Sequence, residues 1–141
     1  MRVRLFPQHI REPDVVYLRP ERIADLRMPP QGADLLMEVV GGGKANRERD
    51  YKQKRQAYKN AAVGEYWIVD PQEQRITVLT LEQDDYRVHG EFVPGQQATS
   101  VMFPEFSVDV AAVFAAAEGQ SRPARDKKTP RRNAKRRRKA D

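Results

Sequence analysis

The sequence predicts a single α/β domain of the α+β kind, built on a mixed β-sheet. A stretch of helical composition, residues 46–62, lies between two runs that read as buried strands, 34–40 and 65–70. Two alternating runs follow at 75–81 and 86–93, close enough to pair antiparallel. At 141 residues the chain holds one core rather than two.

Each element has its own local reason. Residues 13–18, PDVVYL, are β-branched and aromatic behind a proline, which suits the first position of a strand. The connector that follows, RPERIADLRMPPQGA, has room for a short helix over Glu21 to Met28 that Pro29 and Pro30 stop. In the strand Asp34 to Val40, alternation puts Leu35, Met37 and Val39 on one face and Leu36, Glu38 and Val40 on the other. With both faces mostly apolar, this strand is expected in the interior of its sheet. Gly41, Gly42 and Gly43 form a loop, Asn46 reads as the N-cap of the helix Asn46 to Ala62, and Gly64 as its stop. EYWIVDP is a third buried strand ended by Pro71. RITVLTL and YRVHGEFV form a hairpin across the acidic turn EQDD, and VMFPEFSVDVAAVFAAA closes the core with a loop, a short strand and a helix.

Charge divides the chain in two. Residues 120–141 hold 11 Lys or Arg against Asp126 and Asp141, a local +9, whereas residues 1–119 carry 15 basic and 18 acidic residues, or −3. The domain is therefore expected at 1–119, followed by a disordered basic tail at 120–141 that has no large apolar residue to offset the entropy of ordering. A polyanion such as nucleic acid is its expected partner, with a solubilising or targeting tail as the alternative. The chain has no cysteine, which excludes disulfides, thiolate metal sites and a cysteine nucleophile. Without an apolar run of membrane length or a signal-peptide start, a soluble cytoplasmic protein is expected.

Asp14 opens the first of these strands and Glu38 lies within the second, so adjacent strands would bring two carboxylates together. A Mg²⁺ ion, which takes hard oxygen ligands and keeps several waters, would relieve their repulsion and activate water. The alternative is an Asp14 facing solvent and a Glu38 paired with a basic side chain. On the helix, Asp50, Lys54, Ala57, Tyr58 and Ala61 share one face, with Lys52, Arg55 and Lys59 on or near the opposite one. Lys54 thus points inward and needs an anionic partner: Glu38, a substrate phosphate or Asp50 one turn earlier. His9 and His89 lack ligand spacing and read as surface residues. GGGK lacks the full phosphate-loop pattern. Trp67, Ile68 and Val69 read as core, and Asp70 as a turn residue rather than an acid behind the site.

REPDVVYL, DLLMEVV and RDYKQKRQAYKNAAVGEYWIVDP, in that order, resemble the Uma-two family of restriction endonucleases in the PD-(D/E)xK nuclease superfamily, over about Val3 to Ala115. The resemblance implies a restriction-endonuclease-like fold and a Mg²⁺- or Mn²⁺-dependent endonuclease acting on DNA. Asp14 and Glu38 match the metal-binding acids, Val39 would lend its backbone carbonyl, and Lys54 matches a catalytic lysine supplied by the following helix. Val40 stands where the superfamily pattern has its lysine, and Gly41 to Gly43 replace a Ser-Pro-Ser loop. Relatives usually carry a further N-terminal segment, so the expectation is either a truncated or misassigned reading frame or a domain that has lost part of its core, the latter with an alternative function: a catalytically inactive nucleic-acid-binding module. A homodimer completes the expected partners.

Overall fold

The computed structural model describes residues 1–6, 9–23 and 27–120. Much of the connector helix expected over Glu21 to Met28 lies at or beyond the edge of these; what is seen there is a 3₁₀ turn, Pro20–Arg22. The tail from residue 121 onward lies outside the described residues.

Five strands make the principal sheet, in the order β3-β4-β5-β6-β7. They are β3 (Val15–Tyr17), β4 (Leu35–Val39), β5 (Glu65–Asp70), β6 (Arg75–Glu82) and β7 (Asp85–Phe92). β4 and β5 are parallel and every other neighbouring pair is antiparallel, which is the mixed sheet expected. The parallel pair needs a crossover connection, and the helix supplies it. β5 is buried along its whole length, with the crossover helix over one face and residues from 98–114 over the other.

Alternation along β4 divides the core as its sequence predicts. Leu36 and Val40 pack with Tyr58, Tyr66 and Ile68 under the crossover helix. Leu35 joins Trp67, Val78 and Phe114 on the other face, beneath α3 (Val110–Gln120). Burying one fully apolar side chain of this size contributes roughly 1.5–3 kcal/mol. Glu38 shares the face of Leu36 and Val40, so the helix lies over it.

Two small ladders complete the strands, and of their four members the sequence predicts only the short strand before the C-terminal helix. β1 (Val3–Phe6) pairs with β2 (His9–Arg11), and β8 (Gln97–Thr99) with β9 (Ser107–Asp109). Strands of three or four residues give alternation too few cycles to register, although Val3 is fully buried.

The crossover helix differs from expectation at both ends and in its middle. It starts at α1 (Lys44–Glu48), not at Asn46. Gly43 precedes it at φ +94°, a conformation that L side chains rarely adopt, and this lets the chain turn into the helix early. Asn46 sits inside the first turn and ties the loop back, its Nδ2 donating to the Gly42 carbonyl at 2.7 Å. At the other end the left-handed residue is Ala62 (φ +54°), not Gly64. Gly64 instead sits in a close approach: a Cβ there would lie 2.5 Å from Met102 Sδ, so that the methionine would have to move, and 3.2 Å from the Asp34 carbonyl. Between α1 and α2 (Lys54–Asn60), residues Arg49–Gln53 form a π-helical turn, and the buried Tyr66 hydroxyl donates to the Asp50 carbonyl within it at 2.8 Å.

Candidate active site

β3 and β4 pair with Val15 opposite Met37, so continuing this antiparallel register by one step sets Asp14 opposite Glu38. Asp14 is exposed, and its Oδ2 accepts the Val39 backbone N–H at 2.7 Å. The N–H and C=O of one strand residue point to the same side. Val40 bonds toward β5 through its N–H, so Val39 turns both its backbone groups toward β3, past that strand's end. Its carbonyl is thereby directed to the edge that Asp14 occupies.

Glu38 is 4% exposed. Its Oε1 accepts the Tyr58 hydroxyl at 2.5 Å and its Oε2 lies 3.0 Å from Lys54 Nζ. Burial pushes the Glu38 carboxyl above its ordinary range, outweighing the hydrogen bonds from Tyr58 and Lys54 and the Lys54 charge; nearby Asp14 pushes the same way as burial. Lys54 Nζ also lies 2.7 Å from Asp50 Oδ1. That oxygen makes no well-directed hydrogen bond, so attraction between charges, rather than alignment, joins the two. Of the three partners weighed for Lys54, the two that belong to the chain are both present: the lysine bridges Glu38 and Asp50 in a buried triad. Lys54 has three N–H donors, and this arrangement occupies it with two carboxylates.

The face assignment holds where it matters most. Asp50 and Tyr58 are buried, whereas the Lys52 side chain is 76% exposed and pairs with Glu48 at 3.8 Å. Arg55 and Lys59 are less open than predicted, because β7 rises beside the helix and engages them at the Tyr86 carbonyl and Asp85.

The donors around this edge are the carboxylates of Asp14 and Glu38 and the carbonyl of Val39, all hard oxygens. Each Glu38 oxygen retains a lone pair beyond the bond it already accepts. Among the described residues no group of three or more His, Cys, Asp or Glu side chains is placed to hold a metal ion. Mg²⁺ does not need such a group, since it keeps several waters. The residues present fit such a cation, and the repulsion between Asp14 and Glu38 is what it would relieve.

Several contributions were not read from the sequence. Tyr58 counted as an apolar stripe residue, yet its hydroxyl holds Glu38; its place four residues after Lys54 on the inward face was the available signal. Asp70 does act in the turn, accepting the backbone N–H groups of Gln72 and Glu73 at 3.1 Å each. It is also fully buried, accepting the Tyr51 hydroxyl at 2.8 Å and pairing with Arg47 at 2.7 Å. Burial acts to raise its carboxyl, but these bonds and the Arg47 charge hold it below the ordinary range. Glu65 is a further buried carboxylate, bound by the Ser100 hydroxyl and the Val101 N–H, and it ties the C-terminal loop to β5. His89 contacts Thr99 and has no second ligand-type neighbour among the contacts seen. The side chain of His9 lies outside the described residues. Trp67, Ile68 and Val69 are core, as expected.

The family model Uma2, described as "Putative restriction endonuclease", matches residues 1–111. The crystal structure of "a putative nuclease belonging to DUF820" from Anabaena variabilis is similar to this chain, with a TM-score of 0.58 at 18% sequence identity. The match covers 81% of this chain and 64% of that one, so the chain spans less than two thirds of its structural relative. At that identity the likeness shows a shared fold. No curated protein matches the chain.

Proposed function

The chain belongs to the Uma2 family, and on that premise we propose that it is a Mg²⁺-dependent endonuclease hydrolysing phosphodiester bonds of DNA. The observation that carries this reading is the Lys54 ammonium held 3.0 Å from Glu38 on a strand edge shared with Asp14. Asp14, Glu38 and the Val39 carbonyl would hold the cation, and when bound it supplies Lewis-acid activation of a water. Asp14 is fixed for that task by the Val39 N–H, and Glu38 by Tyr58 and Lys54. Lys54 is a fixed positive charge beside the position the scissile phosphate would take, and stabilises the negative charge that grows on its oxygens as water adds and the P–O bond to the leaving sugar breaks. Asp50 keeps the ammonium in place between turnovers.

Purified protein should nick supercoiled plasmid in Mg²⁺ or Mn²⁺ and stop in EDTA. Plasmid binding without nicking in either metal would replace the enzyme with the inactive binding module. What favours that second reading is that, among the described residues, no group of three or more Asp, Glu or His side chains is placed to hold a metal ion.

The proposal extends to the division of labour along the chain: residues 1–119 form the nuclease domain in a cytoplasmic protein and 120–141 grip nucleic acid. No helix among the described residues is long and apolar enough to cross a membrane. The tail's +9 charge makes binding fall with salt at a logarithmic slope of roughly −0.9 per phosphate neutralised on duplex DNA. Truncation after Gly119 should weaken binding and flatten that slope while the thermal transition stays in place; an unchanged slope removes the tail from the interface. A homodimer would use the outer edge of β3, where Val15 and Tyr17 are exposed and in antiparallel register would face each other across a two-fold axis; sedimentation velocity showing only monomer at micromolar concentration rules it out.

A further inference from the structure

We propose that Tyr58 is a positioning residue for Glu38, its hydroxyl holding the carboxylate in the single orientation that binds a divalent cation. The inference rests on the metal-site reading above and adds to it a residue that touches neither metal nor substrate.

The last torsion of a glutamate side chain is broad, so a carboxylate held by one contact can pivot about it. Lys54 holds Oε2 alone, at 3.0 Å, and shares itself with Asp50. A substrate phosphate would draw on the same ammonium and loosen that contact at the moment the site is needed. Tyr58 is the second point of attachment, on the opposite oxygen, at 2.5 Å. Two contacts on two oxygens fix the plane of the carboxylate, and the tyrosine has no competing partner among its contacts.

Tyr58 is itself immobile. It is fully buried, its ring meets that of Tyr66 edge-on with centroids 5.0 Å apart, and the Tyr66 hydroxyl is tied to the Asp50 carbonyl. The phenol therefore cannot follow a carboxylate that swings away. A tyrosine phenol, with an ordinary pKa of about 10, is protonated at neutral pH and so donates this bond. Partners behind metal ligands commonly contribute about 10–100-fold in metal affinity.

The test is calorimetric titration of metal-free full-length protein with Mn²⁺. Tyr58→Phe should weaken binding by about 10–100-fold and raise the Mn²⁺ concentration for half-maximal nicking by the same factor, with the rate at saturating metal recovered. Tyr86→Phe serves as control: it loses an equally enclosed hydroxyl, which donates to the Val63 carbonyl, and its Mn²⁺ affinity should match the wild type. Equal affinity of Tyr58→Phe and wild type overturns the positioning role and leaves the metal site standing. No Mn²⁺ binding by the wild type overturns both. If Tyr58→Phe does not fold, a protected Tyr58 hydroxyl proton in the NMR spectrum of the wild type, lost in Glu38→Ala, reports the same bond; its absence from the wild type overturns the proposal.

Discussion

Glu38→Ala is expected to abolish plasmid nicking, a fall of at least about a hundredfold, since even partners lying behind a metal ligand commonly contribute 10–100-fold. The fold should survive the change. Alanine leaves the Tyr58 hydroxyl without its acceptor, at a cost of about 1–3 kcal/mol for an unsatisfied buried group. Against this, it removes a carboxylate whose burial works against the charged form. Lys54 keeps Asp50 as its counter-ion. Glu38→Gln sharpens the comparison, because it preserves shape and can still accept from Tyr58 while offering the metal a neutral oxygen. Both variants should keep a cooperative thermal transition and both should be inactive. Nicking by either at the wild-type rate would move the site elsewhere in the molecule or assign the activity to a contaminant.

Lys54→Ala should lower the cleavage rate at saturating DNA at least tenfold. A preorganised donor at a developing oxyanion is commonly worth about 2.7–4 kcal/mol, or roughly 10²–10³ in rate. Lys52→Ala should change little beyond a modest, salt-sensitive loss of binding, because that side chain stands in solvent with Glu48 at 3.8 Å. The triad adds a second consequence. Without Lys54, Glu38 and Asp50 are buried together with no counter-charge, and breaking a buried pair in this way costs about 3–5 kcal/mol.

Lys54 lowers the Glu38 carboxyl by hydrogen bond and by charge, so its loss raises that group further above its unfolded value. A carboxyl raised in the folded state favours folding below its unfolded pKa, about 4.3, and that advantage is lost as pH rises through the folded value. Lys54→Ala should therefore recover thermal stability, relative to wild type, as pH falls toward 4. Rates must accordingly be compared per folded molecule, by scaling to the fraction folded at assay temperature. If Lys52→Ala proves the more damaging of the two, the helix faces the site with a different register from the one described.

Much of this arrangement was legible in the residues because it depends on local periodicity. A period of two along DLLMEVV placed Glu38 on the face of Leu36 and Val40, and the four-residue spacing of Asp50, Lys54 and Tyr58 put the lysine inward. Those patterns are properties of a strand and of a helix wherever they occur, and they held even across the π-helical turn at Arg49–Gln53. The mixed sheet followed from the order of such segments.

What the periodicity did not carry was the identity of hydrogen-bond partners. The four-residue spacing from Lys54 puts the Tyr58 ring on the inward face, but it does not say that the hydroxyl meets Glu38 twenty residues away. The same is true of Asp70, whose turn N–H groups were foreseeable but whose Arg47 and Tyr51 were not, and of Glu65, joined to Ser100 across 35 residues. Asn46 and Gly64 looked like helix boundaries by composition, yet Gly43 and Ala62 supply the unusual backbone angles. The sequence by itself determined which side chains turn inward, since that is set by the repeat of a single element. Only the tertiary structure decided which inward groups meet, because a buried polar group takes its partner from whichever element packs over it.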